Sequence, residues 1–136
     1  MASHIAREGI GIDLVLCSSA TRARQTLEFV LPSLGEGVKV RIEDELYGAS
    51  AGTMLARLQQ INEKTQAVMA VGHNPALQTL TENLVHDGKD QAIDLLRRKF
   101  PTGALATVTA ETTWPQLRFG SGYLASFVVP KQLARA

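Results

Sequence analysis

Apolar positions recur along this chain in two periods, and the changes of period mark out its elements. Ile12 to Cys17 is a short apolar run rich in branched residues. Such a run predicts a strand covered on both faces, as in a parallel sheet. Ser18-Ser19 follow at once and predict a helix start, because a serine hydroxyl accepts a hydrogen bond from a free backbone N–H. Ala23, Leu27, Val30 and Leu31 then fall at helical spacing, and Pro32 and Gly35 end that helix. Val38 to Ile42 alternates apolar and charged residues, the pattern of a half-exposed edge strand. Tyr47-Gly48-Ala49-Ser50 reads as a turn with a cap at Ser50, opening a helix that runs to about Asn62 with Met54, Leu55, Leu58 and Ile61 inward. Ala67 to Val71 is a further buried strand, and Gly72-His73-Asn74-Pro75 is the loop that leaves it. Pro75 stands where proline opens a helix, which Leu77, Leu80 and Leu84 continue.

The ends of the chain are less patterned. Residues 1–8 read as the end of a helix, stopped by Gly9 and Gly11. Residues 86–100 are charged, with a helical turn over Ile93-Asp94-Leu95-Leu96, and Pro101-Thr102-Gly103 breaks the chain. Ala104 to Thr109, Gln116 to Phe119 and Phe127 to Val129 read as late extended segments. The order is strand-helix three times, then strands. That order predicts an α/β fold, a mainly parallel sheet flanked by helices. In such sheets ligands sit beyond the carboxyl ends of strands. This singles out two loops, 18–22 and 72–75.

Composition narrows the classes. A chain of 136 residues with 45% hydrophobic and 20% charged residues can bury one core, so residues 1–136 are read as a single domain. A net charge of +1 gives no basic footprint for nucleic acid. There is no apolar stretch of the roughly 20 residues that a membrane helix needs, and no basic flank with an apolar run at the N-terminus. A cytoplasmic location is therefore expected. Cys17 is the one cysteine, which excludes an internal disulfide; ending an apolar run, it reads as a buried strand thiol before it reads as a nucleophile.

Two residues stand out chemically. Arg22 lies one turn into a helix that leaves a buried strand. Free N–H groups and a partial positive charge gather there, and a guanidinium adds a planar fork for phosphate or carboxylate oxygens. A solvated surface arginine is the plainer alternative. Arg24 points roughly 200° around the helix from Arg22, so it reads as surface. His73 follows a buried strand and a glycine, at the same edge of the sheet, where an imidazole can hold an oxyanion or move a proton near neutral pH. A structural histidine is its alternative. His4 and His86 read as exposed, and three scattered histidines with one cysteine make no zinc pattern. Asp44, Glu45 and Glu82 are candidate acids that more simply read as solvated.

Taken together, Leu14 to Thr26, with Ser18 followed four residues later by Arg22 and then Ala23-Arg24-Gln25-Thr26, resembles the second signature of the histidine phosphatase superfamily. Val71-Gly72-His73-Asn74-Pro75 resembles its third. Glu45 to Ala49, Lys99 to Ala106, Trp114 and Phe127 to Leu133 resemble the small phosphohistidine phosphatase branch, the SixA type. The resemblance implies a phosphoglycerate mutase-like sheet and a phosphatase acting on a phosphorylated protein or a small phosphate ester. It implies that Arg22 and His73 are catalytic and bind the phosphoryl group, that Ser18 is a minor phosphate contact, and that no metal or other cofactor is needed.

One departure bears on activity. The superfamily's first signature, Arg-His-Gly or Arg-His-Ala, supplies the nucleophilic histidine at the end of the first strand, and no such triplet occurs in this sequence. Ser3-His4-Ile5 is not one. The resemblance then implies that the first strand is missing and the enzyme impaired. A strand missing beside the one that leads to His73 exposes backbone groups that closing up, strand exchange or a homodimer would have to repair. The alternative is a non-catalytic phosphate-binding or protein-interaction module. Acyl hydrolysis by Ser18 or Ser19 with His73 ranks lower, because neither serine sits in a Gly-x-Ser-x-Gly elbow.

Overall fold

A computed structural model describes residues 11–101 and 103–129. The helix end read over residues 1–8, His4, Thr102 and the tail from Pro130 lie outside the described residues. Strand β1 (Leu14–Ser18) leads to helix α1 (Thr21–Val30) and a 3₁₀ turn, Leu31–Leu34. Strand β2 (Lys39–Glu43) and a second 3₁₀ turn (Asp44–Leu46) lead to α2 (Ala51–Leu58). Strand β3 (Val68–Val71), α3 (Ala76–Leu84), β4 (Val85–Gly88), α4 (Ala92–Arg98), β5 (Leu105–Thr109) and β6 (Gly122–Val128) complete the order.

The strands form two three-stranded sheets. The first, in the order β2-β1-β3, is parallel throughout. The second, β4-β6-β5, has one parallel pair and one antiparallel pair, so the expected parallel character holds for β1, β2, β3, β4 and β6 and ends at β5. Every residue of β1 is buried, because it is the central strand and helices cover both faces of its sheet. Leu14 and Leu16 face Met54, Leu58, Leu80 and Leu84 of α2 and α3. Val15 and Cys17 face Ala23, Leu27 and Val30 of α1. The alternation of a doubly covered strand thus joins two helical layers across one sheet. A third core, around Leu96, Leu124 and Phe127, seats α4 on the second sheet.

Local chemistry fixes the joints. The Asp13 carboxylate accepts the backbone N–H groups of Gln66 (2.9 Å) and Ala67 (3.0 Å), tying the starts of β1 and β3 together. These bonds to the ionised form, Ala67's first, hold its carboxyl below the usual aspartate range. The Trp114 indole donates to the Thr65 carbonyl at 2.7 Å, and Gln59 donates to the Leu117 carbonyl at 2.8 Å, so the segment between β5 and β6 is pinned against the first sheet. Gly122 is required where β6 begins: a Cβ there would stand 2.7 Å from Val108 Cγ1 and 3.1 Å from the Leu84 carbonyl oxygen.

Several expectations are corrected. The Ser18-Ser19 cap of α1 is not formed; Ala20 holds the N-cap position, and Ser18 Oγ instead accepts the Ala20 N–H at 3.2 Å. The cap at Ser50 is formed, with Oγ accepting the Thr53 N–H at 3.2 Å. Residues 85–98 hold a strand and a helix where one helical turn was read, because Leu96 is fully buried and organises the charged stretch around it. Gln116 to Phe119 is not a strand: Pro115 lies in a 3₁₀ turn over Trp114–Gln116, and the residues after it are irregular. The last strand is longer than Phe127 to Val129, beginning at Gly122. No helix among the described residues is long and apolar enough to cross a membrane.

Candidate active site

Three loops meet at the carboxyl ends of the first sheet. In the parallel register Cys17 lies level with Val71, and Ser18 lies level with Glu43. The segments that follow are therefore neighbours: Ser19-Ala20 into α1, Asp44 to Ser50 into α2, and Gly72 to Pro75 into α3. Arg22 is the second residue of α1, and His73 is the second residue beyond β3. Both are exposed. Among the described residues no side-chain hydrogen bond or ion pair engages the Arg22 guanidinium or the His73 ring nitrogens, so both are free to meet an anion.

His73 does have one neighbour of note. Its ring meets that of Tyr47 edge-on, with centroids 6.5 Å apart and planes at 67°. Tyr47 is 66% exposed. The sequence places it only in a turn; its position beside His73 follows from the register of β1 with β2 and β3, which no local pattern reveals. A cleft of about 360 Å³ opens next to His73, between the start of α2 and the start of α3. On the far side of the loop, Asn74 donates its side-chain amide to the Phe100 carbonyl, joining the site to the segment that leads into β5.

The remaining candidates separate. Ser18 is fully buried, and its hydroxyl oxygen is occupied by the Ala20 N–H. Gly72 does not have a positive φ, and a Cβ there would touch only Leu77 at an ordinary 3.6 Å, so the fold within the described residues does not demand a glycine. Cys17 is fully buried and its thiol donates to the Ser18 carbonyl at 3.2 Å. Burial pushes its pKa up, against an opposing pull from the Arg24 charge, which disfavours the thiolate a nucleophile needs. Arg24 and His86 are exposed, as read, and so are Asp44 and Glu45. Glu82 lies on α3, half-buried, accepting from Gln78 at 3.4 Å. No trio of His, Cys, Asp or Glu among the described residues is arranged to hold a metal ion.

The segment carrying Tyr47 is held at both ends. Glu43, the last residue of β2, receives a two-pronged ion pair from Arg57 on α2, at 2.7 and 2.9 Å. Their side chains are 19% and 15% exposed. The Arg57 hydrogen bonds hold the Glu43 carboxyl below the usual glutamate range.

No family model matches the chain. Among proteins of known sequence, the uncharacterized protein Rv1276c of Mycobacterium tuberculosis is 34% identical over 122 residues, which is 88% of this chain and 75% of the relative. The uncharacterized protein ML1117 of Mycobacterium leprae is 31% identical over 121 residues, 88% of this chain and 73% of the relative. Among solved structures, one described as phosphohistidine phosphatase SixA from Nakamurella multipartitia superposes with a TM-score of 0.75 at 27% identity, over 95% of this chain and 81% of that one. Another so described, from Agrobacterium tumefaciens, gives 0.73 at 29% identity, over 95% and 75%. The protein histidine phosphatase SixA complexed with tungstate gives 0.74 at 27% identity, over 97% and 78%.

The clamp around Tyr47 makes a prediction. Arg57→Ala leaves a half-buried carboxylate with one weak partner and should lower stability by about 1–3 kcal/mol at neutral pH. Because the Glu43 pKa is depressed in the fold, the pair's contribution is full above the ordinary glutamate pKa and lost as pH falls through the depressed value. Urea unfolding at pH 7 should separate the variant from the parent, and the separation should shrink in acid; equal stability at pH 7 contradicts the clamp.

Proposed function

We propose that this chain, which belongs to one family with Rv1276c and ML1117 and has the fold of the SixA phosphohistidine phosphatases within the histidine phosphatase superfamily, binds and handles phosphoryl groups. The observation that carries the reading is the pairing of a free guanidinium and a free imidazole at the ends of adjacent parallel strands. Both stand at the start of helices whose open N–H groups favour an anion. Arg22 offers two parallel N–H donors to the equatorial oxygens of a phosphoryl group. His73, when protonated, adds a second charge against the oxygens as negative charge moves onto them. Ser18, fully buried with its hydroxyl oxygen accepting the Ala20 N–H, supports the turn that leads to Arg22 from beneath. A solved relative by fold is described with tungstate, a tetrahedral oxyanion like phosphate.

On this reading the substrate is a phosphorylated protein or a small phosphate ester. These 136 residues contain no Arg-His-Gly or Arg-His-Ala, so on this reading they do not by themselves supply the phosphoryl-accepting histidine of that superfamily, and their own turnover is impaired. Among the described residues β3 pairs only with β1, and β5 only with β6. Leu105 of β5 nevertheless packs on the core that holds Met69 and Val71 of β3. The two sheets share a core without sharing a ladder, which supports the view that a strand is wanting between them. The same unpaired edges support a homodimer. Light scattering at micromolar concentration should give twice the chain mass, and a monomer there would rule that assembly out.

The activity test is phosphate release from a phosphohistidine-bearing protein and from a generic aryl phosphate. We expect a folded chain with no turnover above background. Turnover that both Arg22→Ala and His73→Ala abolish would mean that His73 or another residue of this chain accepts the phosphoryl group, and the impaired reading would fall.

A further inference from the structure

Helix α4 brings the chain back to the site. It ends in Arg97 and Arg98, and Lys99 follows with an extended backbone. All three are exposed. Among the described residues none of their side chains makes a hydrogen bond or an ion pair. The tract is nevertheless held on both sides. Before it, the Leu96 carbonyl accepts the side-chain amide of Gln78 on α3 at 3.0 Å. After it, the Phe100 carbonyl accepts the side-chain amide of Asn74, the residue next to His73. Leu96 is fully buried, and the Phe100 ring packs on that of Phe127 with centroids 5.4 Å apart. Three outward cations are therefore anchored beside the His73 loop. A cation in the last turn of a helix complements the helix end. That role suits Arg97 and Arg98, whereas Lys99 lies beyond the helix. The acids of the two packed helices leave them uncommitted: Asp94 is exposed on α4, and Glu82 on α3 takes its bond from Gln78.

We infer that Arg97, Arg98 and Lys99 form a docking surface for an acidic segment of a phosphorylated protein whose phosphoryl group meets Arg22 and His73. This surface presupposes the phosphoryl-binding reading and adds to it a grip on the partner's own chain. Cations at the rim of a site steer an anionic partner toward it and fix its orientation. Each exposed charge pair contributes little alone, so the three act as a group and weaken together in salt. Nucleic acid suits the tract less well. The whole chain carries a net charge of only +1, and Asp87, Asp90 and Asp94 precede the three cations in the same stretch. Phe100, the adjacent aromatic, is half-buried against Phe127, where base stacking needs an open face.

The test uses the 136-residue chain and three probes, titrated calorimetrically: inorganic phosphate, a phosphoserine peptide flanked by glutamates, and the same peptide with glutamines in their place. The glutamate peptide should bind roughly tenfold tighter than the glutamine peptide in about 0.05 M salt, and the ratio should fall toward one in about 0.5 M salt. The triple change Arg97→Gln, Arg98→Gln, Lys99→Gln alters only exposed side chains. It should bring the low-salt ratio close to one and leave the affinity for inorganic phosphate unchanged. The control change Lys39→Gln, Lys64→Gln, Arg118→Gln removes the same charge at the start of β2, ahead of β3 and in the segment after Trp114, and should keep the ratio. Equal binding of the two phosphopeptides overturns the docking surface while phosphate binding still stands. So does a ratio that survives the first triple change, or one that the control lowers as much. A single-stranded oligonucleotide that binds through the same three cations more tightly than the glutamate peptide overturns the choice of partner. If neither inorganic phosphate nor either phosphopeptide binds, the phosphoryl-binding reading fails, and the docking surface falls with it.

Discussion

The parallel register of β1 with its two neighbours is the constraint on which the candidate site depends. β1 is buried along its whole length, and its two faces hold the side chains that seat α1 on one side and α2 with α3 on the other. Because Cys17 is level with Val71 and Ser18 with Glu43, three loops that are far apart in sequence leave the sheet side by side. A slip of one residue would turn Leu14 and Leu16 toward α1, and would carry Val15 and Cys17 to the wrong layer. Two independent cores resist that slip. The positions of Arg22, Tyr47 and His73 are thus a consequence of apolar packing some distance from them.

The site itself is sparse. It has a guanidinium and an imidazole whose nitrogens have no hydrogen-bond or ion-pair partner among the described residues, an aromatic ring edge-on to that imidazole, and a cleft lined by small residues. This arrangement suits positioning and charge stabilisation at a phosphoryl group, which is most of what such chemistry asks of a protein. The nearby thiol is turned away: Cys17 is buried against Ser18, with its proton held by desolvation. The clamp between Glu43 and Arg57, a charged pair of low exposure, spans the loop that carries Tyr47 and holds its geometry.

Much of this was legible in the sequence, for stateable reasons. Strands β1 and β3 are short apolar runs, and apolar runs survive any neighbour; Ser50 caps its helix because the cap is a bond within four residues. Arg22 and His73 could be singled out because each lies within four residues of the end of such a strand. What failed was longer in range. Ser18 looks like a cap, but burial at the end of a central strand turns its hydroxyl to Ala20. The stretch 85–98 looks solvated, yet Leu96 draws it into a third core with Leu124 and Phe127, residues it meets only after β6 has formed. Tyr47 carries no local mark of its contact with His73, since 25 positions intervene and two strand pairings bring the rings together.

The central claim is that Arg22 and His73 act on one anion. The most direct measurement is a double-mutant cycle on tungstate affinity, using the parent chain, Arg22→Ala, His73→Ala and the double variant, each checked for folding. Two groups that grip the same oxyanion should be coupled: each single change should weaken binding at least tenfold, and the double change should cost less than the two losses added together. Strictly additive losses, or an undiminished affinity in either single variant, would mean that the two residues do not share an anion and that the site described here is not one site.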